Sequence, residues 1–139
     1  MVSTALETTT DLEADLGELA RQFLTTLMRP ELLRLRRLVI TTADQFPEIG
    51  RSWYEQGFER ALATLATQFG LLSARGLLCA EDPLLAAHHF VGLLLWIPIN
   101  KAMFTGDEAS DPRELYTSAG AATEAFLRAY GSHEAGQNR

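Results

Sequence analysis

Two adjacent histidines, His88 and His89, are the residues whose type suits them best to metal binding or proton transfer. Neighbouring residues of a helix point about 100° apart, whereas paired metal ligands on one helix need a spacing of three or four residues. The pair therefore predicts no metal site. We expect one histidine to line a pocket, with His89 as the candidate, and the other to face solvent or an interface.

The sequence carries no arrangement of residues that supports catalysis. It has no Gly-x-Ser-x-Gly motif, no glycine-rich phosphate loop and no paired His/Cys arrangement, and Cys79 is its sole cysteine. Glu81 and Asp82 fit a loop that ends in a helix cap. We therefore predict a protein that is not an enzyme, has no catalytic residues, binds no metal or other cofactor and contains no internal disulfide.

Four arginines, Arg29, Arg34, Arg36 and Arg37, lie close together in the sequence. They could contact an anion or pair with nearby acids. The favoured interpretation is a solvated helix face on which the arginine stems cover apolar surface.

The composition predicts one globular domain built from helices. The chain has 139 residues, of which 47% are hydrophobic and 22% charged, and its net charge is −6. A free-standing nucleic-acid binder should carry a basic face, so this charge argues against one. The longest apolar run, residues 90–99, is interrupted by Gly92 and Pro98 and falls short of the ~20 residues that a membrane helix needs. We expect a cytoplasmic protein without membrane contact.

Periodicity and helix-boundary residues predict an all-α antiparallel bundle of five to six helices with no strands. Thr10 is the expected N-cap of the first helix, Gly57 is expected to break or kink the chain, and Pro98 to kink a later helix. The expected helices span residues 11–28, 30–46, 47–56, 58–75, 83–106 and 112–130. Residues 1–131 are predicted to form the domain and residues 132–139 a flexible tail.

Two of these helices have an apolar stripe that the helical period places on one face. The first helix is expected to bury Leu12, Leu16, Leu19, Phe23 and Leu27. The second is expected to bury Leu32, Leu35, Val39, Ala43 and Phe46.

A series of short segments between about residues 35 and 95 resembles the middle of TetR-family C-terminal domains, in particular the AefR-like branch. The segments are RLVI at 37–40, ADQFPEI at 43–49, WYEQG at 53–57, RGLL at 75–78, DP at 82–83 and FVGLL at 90–94. The order and spacing carry the resemblance, and the rest of the chain agrees in helix order and length. Thr41, Thr42 and Trp53 depart from the pattern, and Trp53 could reshape a pocket.

Regulators that the chain resembles carry an N-terminal helix-turn-helix domain, which this sequence does not supply. Ala66, Gly70 and Leu71 have the spacing of that motif, but the recognition helix would then contain Gly76 and meet an acidic segment and a proline at 81–83. We reject this interpretation. The chain is therefore expected to be a piece of a longer regulator.

The resemblance also implies which helices enclose a pocket. Aromatic, soft and polar side chains on those helices predict an apolar cavity with few polar anchors. The candidate ligand-binding residues are Phe23, Leu27, Trp53, Phe69, His89, Trp96, Asn100 and Met103.

The last helix has a wider apolar stripe than one neighbouring helix can cover, which predicts a partner subunit. In the family that the chain resembles, the last two helices pair with their symmetry mates as a four-helix, two-fold interface. The candidate interface residues are Leu115, Tyr116, Ala119, Ala122, Thr123, Phe126, Leu127 and Tyr130.

The resemblance implies the effector-binding and dimerisation domain of a transcriptional regulator, by family precedent a repressor, controlled by a small apolar ligand. Its partners would be a second copy of the chain, the effector, and DNA only through the N-terminal domain. The alternative is a stand-alone helical small-molecule carrier or interaction module without DNA binding. A small helical enzyme is the third hypothesis.

Overall fold

A computed structural model describes residues 4–132 of the chain, and all of its regular elements there are helical. Between α4 and α5 the chain stays helical but widens into a π-helix, here called the π segment (Tyr54–Glu59). The α-helices are α1 (Thr4–Glu7), α2 (Leu12–Leu27), α3 (Pro30–Thr42), α4 (Pro47–Trp53), α5 (Arg60–Ala74), α6 (Pro83–Thr105) and α7 (Pro112–Tyr130). Because α4, the π segment and α5 are continuous, the described residues form five helices and the short α1. The predicted all-α bundle is confirmed.

Aspartate and proline residues fix most of the helix starts. The Asp11, Asp82 and Asp111 side chains accept hydrogen bonds from backbone amides in the first turns of α2, α6 and α7. Asp11 therefore caps α2, and the expectation of Thr10 in this role was wrong. Proline occupies the first position of α3, α4, α6 and α7, where its missing amide costs no hydrogen bond.

Three phenylalanines form the centre of the hydrophobic core. Phe69 of α5 stacks on Phe126 of α7 with ring centroids 5.1 Å apart, and Phe90 of α6 meets both rings edge-on at 5.8 and 5.2 Å. These contacts follow the helix packing, in which α5 lies against α6, α6 against α7, and α7 against α2. On α5, Leu62, Leu65 and Leu72 are buried on the same side as Phe69.

The predicted stripe of α2 divides into two faces. Leu16 is fully buried together with Ala20 and Leu24, and these residues face the core. Leu12, Leu19, Phe23 and Leu27 are only partly buried and lie at its edge. The sequence pattern predicted the apolar side of α2. It did not distinguish the side chains that enter the core from those that lie at its edge.

The prediction for α3 was wrong in its end and in part of its buried face, although Val39 is buried as expected. The helix stops at Thr42, and it buries Leu33 and Val39, whereas Leu35 and Phe46 are more than 40% exposed. The physical reason is that α3 packs at the edge of the bundle, against α4 and the end of α6, so one narrow strip is covered.

The break expected at Gly57 does not occur, because the π segment carries the helical path through this residue. Of the predicted tail, residues 133–139 lie outside the described residues. The division into a domain of residues 1–131 and a flexible tail stays a prediction.

Among residues 4–132, α6 is the one helix whose length and composition would allow it to cross a membrane. Its most apolar 18-residue window has a mean hydropathy of 1.3, and 39% of that window is buried inside the protein. Long core helices of other proteins meet the same criterion. One side of α6 packs on α5 and α7, and its opposite side is exposed.

Candidate ligand-binding cleft and outer groove

A cleft lies between α2 on one side and the π segment with the start of α5 on the other. We call it the α2–α5 cleft, and its volume is about 410 Å³. Its lining comprises Leu19, Gln22, Phe23, Thr26, Leu27, Gln56, Gly57, Arg60, Ala61 and Thr64. The size falls in the range of small-molecule sites, and the cleft is open to solvent along its mouth.

The floor of the α2–α5 cleft is apolar and narrow. Leu19, Phe23 and Ala61 also line a second, small void of about 10 Å³, whose other walls are Phe58, Leu62, Leu65, Phe90 and Val91. That void has room for about one water molecule and no polar side chain lines it, so an apolar group suits it better than water.

The π segment shapes one wall of the cleft. A π-helix adds a residue to the turn, and such segments occur frequently at functional sites. Gly57 lies in this segment and lines the cleft, and a Cβ atom added at Gly57 would meet no heavy atom within 4 Å. The missing side chain at this position therefore leaves open space in the wall.

Polar side chains form the rim of the cleft. On the α2 side, Gln22 donates a hydrogen bond through Nε2 to Glu18 Oε1 at 3.1 Å. Glu18 also accepts hydrogen bonds from Arg21 at 2.6 and 3.1 Å. Bonding from Arg21 and then from Gln22, with the charge of Arg21, lowers the pKa of Glu18. This network uses one amide proton of Gln22 and keeps the Glu18 carboxylate ionised beside Arg21.

Helix α3 touches the same wall from outside. The guanidinium carbon of Arg36 lies 5.0 Å from the ring centroid of Phe58, a cation–π contact with a residue of the π segment. Partial burial lowers the pKa of Arg36. Two other arginines of the cluster, Arg34 and Arg37, pair with Glu108 at 2.8 and 3.3 Å. The cluster thus tethers α3, rather than forming a purely solvated face.

A second concave surface lies on the opposite side of the bundle, between the exposed faces of α6 and α7. We call it the outer groove. It measures about 690 Å³, is open and largely apolar, and is lined by His88, His89, Gly92, Leu93, Trp96, Ile97, Ala125, Ala129 and Tyr130. Trp96 and Ile97 are 73% and 70% exposed, which is unusual for large apolar side chains.

Both histidines lie at the outer groove and are exposed. His89 Nδ1 and the Tyr130 hydroxyl are 2.5 Å apart and share a hydrogen bond. Within residues 4–132, no group of three or more His, Cys, Asp or Glu side chains could hold a metal ion.

The structure does not bring the eight candidate ligand-binding residues together. Phe23 and Leu27 line the α2–α5 cleft, whereas His89 and Trp96 line the outer groove. Phe69 is fully buried in the phenylalanine cluster, so it lines neither surface. Asn100 donates to the Trp96 carbonyl at 2.7 Å, and Met103 packs on the core. Trp53, half-buried at the end of α4, is also absent from both linings.

Half of the candidate interface residues face their own protomer. Ala119, Ala122, Thr123 and Phe126 are at most 5% exposed, because this side of α7 packs on α2 and α6. Their assignment to a subunit interface was wrong. Leu115, Leu127 and Tyr130 are half-buried, and Tyr116 lies under the guanidinium of Arg21 at 4.8 Å. The exposed small residues of α7 lie instead on the neighbouring face, at Ala121, Ala125 and Ala129.

The sequence reasoning missed the polar rim of the cleft. Gln56, Arg60 and Thr64 recur every four residues, a spacing that places them on one side of a helical path. They were overlooked because a polar stripe ordinarily faces solvent, and the sequence does not reveal that α2 lies opposite.

The comparisons with known proteins agree with this architecture. Residues 14–132 match the family described as AefR-like transcriptional repressor, C-terminal domain. The chain therefore belongs to this family of TetR C-terminal domains.

Two solved structures place the fold among those of TetR-family regulators. A TetR-family transcriptional regulator from Mesorhizobium loti MAFF303099 shares 51% identity over 94% of this chain, with a TM-score of 0.89. A TetR family regulator from Pseudomonas syringae pv. tomato shares 23% identity over 88% of the chain, with a TM-score of 0.74, and supports the fold alone. The chain spans 64% of the length of each. No curated protein matches it significantly.

Proposed function

We propose that this chain is the effector-binding and dimerisation domain of a transcriptional repressor, and that the α2–α5 cleft is its effector site. The observation that carries the proposal is the cleft itself, with an apolar floor, a polar rim and a volume of about 410 Å³. The effector is a small molecule whose bulk is apolar. Phe23 and Leu27 stay ligand-binding candidates, and His89 and Trp96 are reassigned to the outer groove.

The outer groove is proposed to be sealed by a second copy of the chain. Large side chains of α6, namely Leu93, Trp96 and Ile97, stand beside small ones of α7, namely Ala125 and Ala129. A two-fold axis through the groove would place the large residues of each copy against the small residues of the other. The resulting four-helix contact buries the apolar side of α6 that the protomer leaves exposed.

The regulator is proposed to act in the cytoplasm and to bind DNA through an N-terminal helix-turn-helix domain, as the family implies. By favouring one arrangement of the helices, the effector changes the distance between the two DNA-binding domains of the dimer. The free energy by which it shifts this equilibrium equals its differential affinity for the two arrangements, typically about 1–3 kcal/mol.

Contacts between α1 and α5 provide a physical route for this coupling. Gln68 donates to Glu7 Oε1 at 3.2 Å, and Arg75 donates to the carbonyls of Glu7 and Thr9 at 3.1 and 2.9 Å. Because α5 forms one wall of the cleft, a shift of α5 relative to α2 would be passed to the N-terminal end of the domain.

Substitution of Ala61 tests the proposed site. Ala61→Phe places a ring in the cleft, and Ala63→Phe places the same ring on the exposed side of α5, about 200° away around the helix. With the neutral fluorophore N-phenylnaphthylamine, we expect Ala61→Phe to weaken binding by about tenfold or more, because lost apolar contact costs a factor of ten per ~1.4 kcal/mol. Ala63→Phe should bind like the parent. Equal binding by all three proteins would reject the cleft as the site.

A further inference from the structure

Charge is distributed unevenly between the α2–α5 cleft and the rest of the molecule. The chain has 18 acidic and 12 basic residues, yet no carboxylate lines the cleft or the void beneath it. Among the lining residues Arg60 carries the one formal charge. A cleft without carboxylates in an acidic protein is electrostatically suited to an anion rather than a cation.

Arg60 is also available to a ligand. Four other arginines within residues 4–132, Arg21, Arg34, Arg37 and Arg128, are engaged in ion pairs. Arg60 makes no ion pair within these residues. Glu18, an acidic residue of α2 on the opposite side of the cleft, is already bonded to Arg21 and Gln22.

The neighbours of Arg60 combine a polar edge with an apolar floor. Gln56 precedes it by about one turn on the same rim and has two amide protons to donate. Ala61 follows it and faces Leu19 and Phe23 across the floor. A molecule lying in the cleft could therefore place an apolar body on this floor and reach the guanidinium with one end.

We propose that the effector is amphipathic, with an apolar body and a single anionic head group that binds Arg60. The head is a carboxylate or a group of similar charge and geometry, which a guanidinium can bind through two parallel hydrogen bonds. This inference rests on the proposed effector site and adds the chemical class of its ligand.

Two fluorescent probes separate the charge from the apolar body. Anilinonaphthalene sulfonate and N-phenylnaphthylamine share their aromatic rings, but only the first carries an anion. We expect Arg60→Gln to weaken binding of the sulfonate by about tenfold and that of the neutral probe by less than about twofold. Arg51→Gln, an exposed arginine of α4 outside the cleft lining, is the matched control and should change neither affinity.

Two further measurements extend the test. Raising the salt concentration should weaken sulfonate binding to the parent more than to Arg60→Gln, because the guanidinium is exposed and screened. Displacement of the sulfonate by decanoate, but not by decanol at the same concentration, would extend the preference to an aliphatic anion.

The outcomes distinguish this inference from the proposed function. If the neutral probe binds and Ala61→Phe weakens its binding as expected, but Arg60→Gln leaves sulfonate binding unchanged, the anionic head group is rejected and the cleft stands. Equal losses in Arg60→Gln and Arg51→Gln would indicate a long-range charge effect and would also reject it. Failure of both probes to bind, or binding unaffected by Ala61→Phe, would reject the cleft and the inference together.

Discussion

Glu108, in the segment that follows α6, pairs with two arginines of the edge helix α3. It accepts hydrogen bonds from Arg34 and Arg37, and Arg37 also donates to the Ala102 carbonyl at 2.9 Å. The two arginines differ in exposure, since the side chain of Arg34 is 60% accessible and that of Arg37 is 34%. Exposed ion pairs contribute little, so the partly buried arginine should matter more.

Arg37→Gln should therefore lower the free energy of unfolding by about 1 kcal/mol, and Arg34→Gln by less than about 0.5 kcal/mol. Urea denaturation of both variants at one protein concentration measures the difference. A larger loss for Arg34→Gln would contradict the hydrogen bonding described for this corner of the fold.

At the scale of the helices, the ends are set by backbone geometry. Gly106 follows α6 with φ of 73°, in the left-handed region that glycine occupies without penalty. Gly120, in the middle of α7, has ordinary helical geometry. At neither position would an added Cβ meet another atom within 4 Å, so the two differ in backbone conformation alone.

Alanine at these two glycines should have opposite effects. Gly106→Ala should destabilise the protein by about 1–2 kcal/mol because a Cβ is strained at positive φ. Gly120→Ala should stabilise it by about 0.5–1 kcal/mol through helix propensity. Thermal and urea unfolding measure both effects, and a change of the same sign in both variants would contradict the assigned geometry.

Helix positions could be predicted from the sequence because their signals are local. Asp82 with Pro83 starts α6, Gly106 ends it, and Asp111 with Pro112 starts α7, as expected. These residues act on the backbone within one turn, so no knowledge of the neighbouring helices is needed.

The faces of the helices could not be predicted equally well, because they depend on packing. Apolar and small residues cover most of the circumference of α7, and the sequence does not indicate that Phe126 meets Phe69 while Ala125 remains exposed. The π segment was missed because the WYEQG pattern with its glycine equally suits a break. The polar rim of the cleft becomes a site only once α2 lies opposite.

At the scale of the whole molecule, the outer groove predicts self-association. Ala125→Glu introduces a charge into the groove, and Ala63→Glu introduces the same charge on the exposed side of α5. In sedimentation at micromolar concentration, the parent and Ala63→Glu should have twice the protomer mass of 15.4 kDa. Ala125→Glu should sediment as a monomer because a carboxylate is costly to bury in an apolar interface. A monomeric parent, or a dimeric Ala125→Glu, would rule out the groove as the interface.

Hydrogen–deuterium exchange with and without N-phenylnaphthylamine tests most directly whether this domain holds its effector between α2 and α5. Binding there should slow amide exchange in residues 19–27 and 54–64, which form the two walls of the cleft. Exchange at the outer groove, in residues 92–97 and 125–130, should be unchanged at a fixed dimer population. Protection confined to the outer groove, with none in the cleft walls, would contradict the account.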